Sequence, residues 1–372
     1  MLLLTRVQVL LAYHMHAISR LVAKTPPVTI YTVSAIAGIL WQAGYGIYAI
    51  ICGALCVGYC FIIVSPAHIT ILLLSFLLGS LRYASREATT LTYILSVPKG
   101  SVTVTGTIMA CESLQQHKTA LTVQLNRLTH AANKAPCHGL HKAYVKVVLT
   151  NPIMARAGDT IIIDNTYIHA ASIYPTPHYT LRSSIIGTIY CKGEQCTLLP
   201  TSPTLLDITR THVQEKIQSL LSPEAYQLFT TIFLGASPKT MFSQRVAYMS
   251  WGISHYLARS GLHLVLLAGI IYWCMMILPL SLYIKRGITA CFILIYSLLS
   301  TPSISFVRAC IMLGCHISCF FIHIPAHTMH ILSLTTLAIL AYNPVYLFCL
   351  DFQLSFFLTY ALILCTRPIH ES

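Results

Sequence analysis

The chain has 372 residues, of which 56% are hydrophobic and 9% are charged, whereas soluble domains carry roughly 25% charged residues. This composition excludes an ordinary soluble globular protein, and the content of Leu, Ile, Val and Phe excludes a disordered chain. The sequence therefore predicts a polytopic membrane protein. The net charge of +13 favours a polyanion or an anionic lipid surface as the partner, and charge alone does not distinguish the two.

Residues 1–27 form a basic, amphipathic stretch with Arg6, Arg20 and Lys24. No cleavage-site pattern follows a short apolar core, so a signal peptide is not indicated. We expect a cytoplasmic lead-in helix that lies on the membrane surface.

Residues 28–86 contain the first membrane segments. At about 20 residues per crossing, the apolar run 28–64 is long enough for two helices, with a break between residues 42 and 46. Residues 69–81 form a shorter third candidate that ends in Arg82 and Arg86. We therefore expect about three crossings.

Residues 97–200 have a different character, because short apolar runs alternate with polar residues and are separated by Pro, Gly, Asn and Asp. This alternation predicts strands, and five short strands in about 100 residues are typical of a small OB-like β-barrel. The five predicted strands are Val102 to Glu112, Ala120 to Leu128, Tyr144 to Leu149, Thr160 to Ser172 and Ser184 to Tyr190.

The β domain is basic: residues 97–210 hold ten Lys and Arg against five acids, a net charge of +5. Such a surface suits the phosphates of single-stranded DNA, and Tyr144, Tyr167 and Tyr179 are candidates for stacking on bases. A solvated basic surface near anionic lipid is the alternative. The predicted DNA-binding surface comprises Lys99, Lys118, Arg127, Lys142, Lys146 and Arg156.

The chain has 14 cysteines, most of them in apolar runs where they act as small hydrophobic residues. Cys191 and Cys196 lie in a polar segment and are close enough in sequence to form a small disulfide loop in an oxidising compartment. The histidines at 316, 323, 327 and 330 include no thiol or carboxylate, and Pro325 divides them. We therefore expect them to pack at the membrane interface and predict no metal site.

Residues 205–250 are predicted to form amphipathic helices on the membrane surface, the second of which begins with Ser222 as N-cap and ends at Gly235. Residues 251–366 contain four to five further membrane helices. Three crossings from a cytoplasmic start place the β domain outside and return the loop at Lys285 and Arg286 to the cytoplasm, as the positive-inside rule prefers. The 287–300 segment is short enough to be re-entrant.

Several polar residues interrupt these apolar helices. His255, Arg259 and His263 are spaced four apart and share a helix face, beside Ser260 and Gly261. Intramembrane charges are costly and often functional. The further polar positions are Arg308, Asp351, Gln353 and Ser355.

Two interpretations of the charges remain open. Asp351 forms an ion pair with Arg308 or Arg259, or these three residues serve a small-anion transporter or intramembrane enzyme. No nucleotide-binding loop and no HExxH or GxSxG motif occurs, so we expect a transport protein that is not an enzyme and carries no cofactor.

The order of motifs resembles the ComEC competence-protein family, which forms the inner-membrane channel for DNA uptake in bacteria. The longest motif is GISHYLARSGLH at residues 252–263, which resembles the family pattern GlSHllAiSGLH. The others follow in the family's order at Leu234-Gly235, Val307-Arg308-Ala309, Asn343-Pro344 and Phe352-Gln353-Leu354-Ser355-Phe356. Upstream, the turn before Thr160 also resembles the family's N-terminal region.

The resemblance implies an inner-membrane, multi-pass channel component for single-stranded DNA, with an inserted extracytoplasmic OB-like domain. Its partners would be single-stranded DNA, membrane lipid, other competence proteins and further copies of itself. Arg259 stands where the family usually has an apolar residue, and no HxHxDH motif of a metallo-β-lactamase-like domain occurs. We therefore expect a truncated form. The residues implied to line or brace the path are His255, Ser260, Gly261, His263, Arg308, Gln353 and Ser355.

Overall fold

The computed structural model describes residues 27–62, 66–98, 100–113, 119–130, 143–150, 158–170, 185–192, 195–201, 205–235 and 261–366. The described residues belong to two compact units. The helical unit lies within Met1–Ser85 and Arg308–Ser372, and the sheet unit lies within Arg86–Val307. The predicted lead-in helix, residues 1–27, lies outside the described residues except for Pro27.

The N-terminal region forms helices α1 (Pro27–Gln42), α2 (Gly46–Ile62) and α3 (Pro66–Leu95). The break between α1 and α2 lies where the sequence predicts it, at Gly44, whose φ of +84° suits a residue without Cβ. The third helix was predicted too short, since α3 has 30 residues and contains Arg82 and Arg86. The reason is that no Pro or Gly follows Gly79 until Pro98, so nothing ends the helix at the arginines.

Close backbone contact joins α1 to α3. A Cβ added to Gly38 would meet the carbonyl oxygen of Phe76 well inside van der Waals contact, and one added to Gly79 would meet that of Ala35 in the same way. The hydroxyl of Ser34 donates to the carbonyl oxygen of Leu72 over 2.7 Å. Small residues at a helix interface permit this approach, which is the usual way in which membrane helices associate.

The C-terminal helices are α8 (Ile304–Phe321), α9 (Thr328–Tyr342) and α10 (Leu350–Thr366). The predicted apolar segment 329–348 is not one helix, because Asn343 ends α9 and a short 3₁₀ helix, Pro344–Phe348, follows. The Asn343 side chain accepts a hydrogen bond from the Val345 backbone N–H over 3.1 Å, which caps this turn.

One end of the helical unit is marked by aromatic and basic side chains. Tyr45 stacks on Phe348 with ring centroids 5.4 Å apart, and Tyr83 meets the same ring edge-on at 5.9 Å. The Arg82 guanidinium donates from Nε to the carbonyl oxygen of Ala341 over 2.9 Å. An arginine at the C-terminus of α9 satisfies a free carbonyl and interacts favourably with the helix dipole.

The sheet unit contains seven strands, and its order across the sheet is β5-β6-β3-β2-β1-β4-β7. All neighbours are antiparallel except β3 and β6, which are parallel. The five predicted strands are present, although the fourth stops early and is followed by a separate short strand. The strands are β1 (Val102–Ser113), β2 (Thr119–His130), β3 (Tyr144–Leu149), β4 (Thr160–Thr166), β5 (His169–Ala170), β6 (Ile185–Cys191) and β7 (Cys196–Leu199).

The inner face of the sheet forms the main apolar core of this unit. Alternate residues such as Val104, Val123 and Val147 are fully buried there, and the end of α3 packs on the same core through Tyr93 and Ile94. Burying such a side chain contributes about 1.5–3 kcal/mol. The core is that of a mixed sheet. No pairing joins the two ends of the strand order among the described residues, so the predicted closed OB-like barrel is not confirmed.

Four helices follow the sheet: α4 (Leu205–Leu220), α5 (Pro223–Phe229), α6 (Gly261–Met276) and α7 (Leu282–Leu299). As predicted, Ser222 precedes α5, and its hydroxyl accepts from the Ala225 N–H over 3.4 Å. A π-helical turn, Thr230–Leu234, extends α5 and ends at Gly235, which has a φ of 69°.

Lys285 and Arg286 were predicted to lie in a loop, and this prediction was wrong. Ser281 caps α7 at its N-terminus by accepting from the Ile284 N–H, so both basic residues belong to the helix. Lys285 is buried, and its Nζ lies 3.9 Å from the Met276 sulfur. The extra residues give α7 a length of 18, so it is not the short re-entrant segment considered above.

Two helices, α7 and α8, are long and apolar enough to cross a membrane by length and composition. The remaining apolar helices of 10–17 residues are Pro27–Gln42, Gly46–Cys56, Gly261–Met276, Thr328–Tyr342 and Leu350–Cys365.

Candidate nucleic-acid interface

The outer face of strands β2, β3 and β6 presents polar side chains in a regular array. Lys146 in the middle of β3 pairs with Thr122 on one side and Thr188 on the other. Residues alternate between faces along a strand, so the flanking Val145 and Val147 are fully buried and Lys146 points outward. Its ammonium group is therefore central to a three-strand surface, which we call the outer sheet face.

Aromatic side chains border this lysine. Tyr144 lies two residues before Lys146 on the same face and is half-buried. Tyr190 on β6 is opposite Val148 and is 65% exposed, and its ring meets His169 edge-on at 5.7 Å. An exposed tyrosine beside a cation can stack on a base while the cation binds a phosphate.

Strand β1 and a bulge in β2 extend the outer sheet face. The bulge lies opposite Gly106, where an added Cβ would meet Val123 and the Gln124 carbonyl. Beyond it Arg127 pairs with Thr105 and is exposed. The Asn126 amide donates to the Thr107 hydroxyl over 2.8 Å. The face thus combines two cations with amide and hydroxyl groups that can contact a sugar-phosphate backbone.

The residues of the predicted basic surface divide into two groups. Arg127 and Lys146 lie on the outer sheet face. Lys99, Lys118, Lys142 and Arg156 lie outside the described residues, as does Tyr179. Tyr167 is described and is 59% exposed in the turn between β4 and β5.

Arg308 is the polar residue of α8, and it contacts α10. Its Nη1 donates to the carbonyl oxygen of Ser355 over 2.7 Å and also to the Thr359 hydroxyl. The guanidinium carbon lies 5.6 Å from the centroid of the Phe356 ring. The buried Nε has no hydrogen-bond partner in the part of the chain that the structure describes.

Of the two ion pairs considered above for Asp351, the one with Arg308 is not formed, and the one with Arg259 involves a residue outside the described part of the chain. Asp351 is exposed in the first turn of α10, where a carboxylate interacts favourably with the helix dipole, and within the described residues it makes no ion pair with Arg308. Gln353 donates from Nε2 to the carbonyl oxygen of Leu347 over 3.0 Å, so it braces the turn before α10. Ser355 contributes its backbone carbonyl oxygen, which accepts the hydrogen bond from Arg308.

Comparison with known proteins finds a match for the part of the chain that contains Arg308. The sequence model of the competence protein family matches residues 232–372. This part of the chain is similar to the competence protein family, and we call residues 232–372 the competence segment. The chain is also 27% identical over 162 residues to ComE operon protein 3 of Bacillus subtilis (strain 168), which is 44% of this chain and 21% of that relative. The alignment thus spans about a fifth of the relative's length, and no solved structure matches the chain.

Gly261 and His263 lie in the first turn of α6, in the part of the competence segment that the structure describes. Gly261 is buried, and the His263 ring lies edge-on to Phe233 of the π-helical turn with centroids 6.3 Å apart. The carbonyl oxygen of Leu234 in the same turn accepts from both the N–H and the hydroxyl of Thr301. His255, Arg259 and Ser260 lie outside the described residues.

A buried hydroxyl network in the competence segment was missed at the sequence level. The Ser333 hydroxyl lies 2.9 Å from that of Thr29 on α1 and 3.1 Å from that of Tyr360 on α10. Thr32 donates to the Ser333 carbonyl, and Thr336 also reaches Tyr360 at 3.5 Å. The signal available in the sequence was Ser333 and Thr336 three apart on one helix face, but their partners are up to 304 residues away.

Of the four histidines considered above, His323 and His327 lie in the connection between α8 and α9, His330 lies in the first turn of α9, and His316 lies within α8. The rings of His327 and His330 meet edge-on at 5.6 Å, and His316, His323 and His327 are exposed. Among the described residues, no group of three or more His, Cys, Asp or Glu could hold a metal ion.

Proposed function

We propose that this chain is a membrane component of DNA uptake in which the outer sheet face binds single-stranded DNA and the helices guide the strand across the membrane. The observation that carries the proposal is the competence match together with a basic, tyrosine-bordered sheet face in the same chain. Neither a solvated basic surface nor a structural sheet requires an exposed tyrosine such as Tyr190 on the same face as Lys146.

We propose a multi-pass arrangement in a bacterial inner membrane, with the β domain outside. Trp41, Tyr45 and Tyr342 are exposed at the end of the helical unit where Arg82 binds the C-terminus of α9. Trp and Tyr prefer the membrane–water interface, which supports one membrane boundary at this level.

Binding through Lys146 leads to a specific expectation for salt dependence. In full-length protein in detergent, Lys146→Ala is expected to weaken binding of a labelled single-stranded oligonucleotide and to reduce the slope of log K against log salt by about 0.7. Fluorescence anisotropy over a salt series measures both quantities. Lys216→Ala, which removes an exposed cation from α4, is the matched control and should leave the slope unchanged.

The tyrosines supply a second readout that lipid binding does not share. Replacing Tyr190 by leucine is expected to cost about 1–3 kcal/mol of binding free energy, because base stacking is lost while the charge is retained. Identical affinities of the wild type, Lys146→Ala and Tyr190→Leu for DNA would contradict the proposed interface.

We also propose that the conducting assembly includes further subunits, either a second copy or another competence protein. Leu354, Phe357 and Leu358 on α10 are each more than 60% exposed, which suits contact with lipid or another helix. The detergent-corrected mass of the purified chain tests self-association. A strict monomer that carried single-stranded DNA into liposomes would contradict this part of the proposal.

A further inference from the structure

The connection between β6 and β7 brings two thiols together. Cys191 is the last residue of β6 and is buried, and Cys196 is the first residue of β7 and is partly buried. Their sulfur atoms lie 3.5 Å apart and are not bonded. A disulfide requires an approach to about 2.0 Å, which side-chain rotation of two adjacent strand-end cysteines can supply.

The position of these thiols in the sheet is unusual. Cys191 is paired with Leu149 of β3, whereas Cys196 is paired with Ile163 of β4. Strand β6 lies near one end of the strand order and β7 lies at the other. A bond between the two sulfurs would therefore clamp the short connection by which the chain passes from β6, next to one end of the strand order, to β7 at the other end.

The two thiols are electrostatically unequal. The hydrogen bond between the two thiols lowers the pKa of Cys196 below its usual value. The same hydrogen bond, together with burial, raises the pKa of Cys191. Cys196 is also the more exposed of the two thiols, so a disulfide reagent reaches it first.

We propose that Cys191 and Cys196 form a reversible disulfide that clamps the connection between β6 and β7 in an oxidising compartment. The oxidant is a low-molecular-weight or protein disulfide. The Cys196 thiolate attacks one of its sulfurs and releases one thiolate. Cys191 then loses its proton and attacks the Cys196 sulfur of the mixed disulfide, releasing the second thiolate. Two protein thiols lose two electrons and two protons, and one disulfide is reduced to two thiols.

The proposed disulfide lies in the sheet that carries the proposed DNA interface. Its formation in cells rests on the proposed outer location of the β domain. The disulfide would restrain the connection between β6 and β7, and it would therefore oppose local opening of β7 from the edge of β4. We expect backbone amides of β7 to exchange with solvent about tenfold more slowly in the oxidised chain than in the reduced chain.

Trypsin makes the bond directly observable, because the exposed Lys192 lies between the two cysteines. Cleavage after Arg182, Lys192 and Arg210 yields peptides 183–192 and 193–210, each with one cysteine. Full-length protein in detergent is incubated with oxidised glutathione, blocked with N-ethylmaleimide, digested and analysed by mass spectrometry. We expect the two peptides to be linked before reduction and separate after it. Fully alkylated, unlinked peptides at every glutathione concentration would overturn the proposal.

Two variants and one cellular measurement complete the test. Cys111→Ser removes another cysteine of the domain and should leave the link intact, whereas Cys196→Ser should abolish it. Linked peptides in membranes quenched directly from cells support the proposal, and fully alkylated peptides there overturn it. Labelling of Cys196 by a membrane-impermeant maleimide in reduced spheroplasts reports the domain's location, and anisotropy reports DNA binding. Failure of the disulfide is thereby distinguished from failure of the proposed function.

Discussion

Replacing Gly38 by alanine is expected to lower the yield of folded protein from membranes sharply. The added methyl group would meet the Phe76 carbonyl oxygen and would lie 3.0 Å from the Ser80 backbone nitrogen. These are backbone atoms, so no side chain can rotate away and α1 must separate from α3. Overpacking of this kind costs about 1–3 kcal/mol or more. Size-exclusion chromatography of the solubilised protein and its thermal unfolding midpoint measure the effect.

Gly79→Ala is expected to behave in the same way, because its methyl group would meet the Ala35 carbonyl oxygen across the same contact. Gly53→Ala on α2 is the matched control, since nothing lies within 4 Å of a Cβ at that position. Alanine has a better helix propensity than glycine, so the control should be neutral or slightly stabilising. Equal stability of Gly38→Ala and Gly53→Ala would show that α1 and α3 are not in backbone contact.

Replacing Arg308 by lysine is expected to reduce DNA uptake by about 10- to 100-fold with little change in protein abundance. The planar guanidinium contacts the Ser355 carbonyl and the Thr359 hydroxyl, whereas lysine is a point charge that cannot reproduce this geometry. Transformation frequency in a host lacking its own competence channel, normalised to protein level, provides the measurement.

A graded variant separates helix contact from transport. Thr359→Val removes one acceptor of Arg308 but keeps the charge and nearly the same volume, so its effect should be clearly smaller than that of Arg308→Lys. Oligonucleotide binding by the outer sheet face should be unchanged in both variants. Wild-type transformation by Arg308→Lys would argue against any role of this arginine beyond helix packing.

Local patterns in the sequence determined most of the elements. Some signals act within a few residues and can be recognised without knowing the fold. They include the turn at Gly44, the Ser222 cap and the alternation along β1, β2 and β3. Boundaries were less certain where no Gly or Pro marks them. Charges are costly in membranes, so Arg82, Arg86 and Lys285 were predicted to lie at the ends of membrane helices. All three lie within helices.

Only the tertiary structure decided which distant residues meet. The parallel pairing of β3 with β6 determines that Lys146 and Tyr190 share a face, and no short-range pattern carries that register. Arg308 donates hydrogen bonds to Ser355 and Thr359, which are 47 and 51 residues away, and forms no ion pair with Asp351, the acid that its charge suggested. The sequence indicated a disulfide from the spacing of Cys191 and Cys196, whereas the placement of Cys191 next to one end of the strand order and of Cys196 at the other end follows from long-range pairing. Short-range rules describe a residue's own element, and contacts between elements depend on the packing of the whole unit.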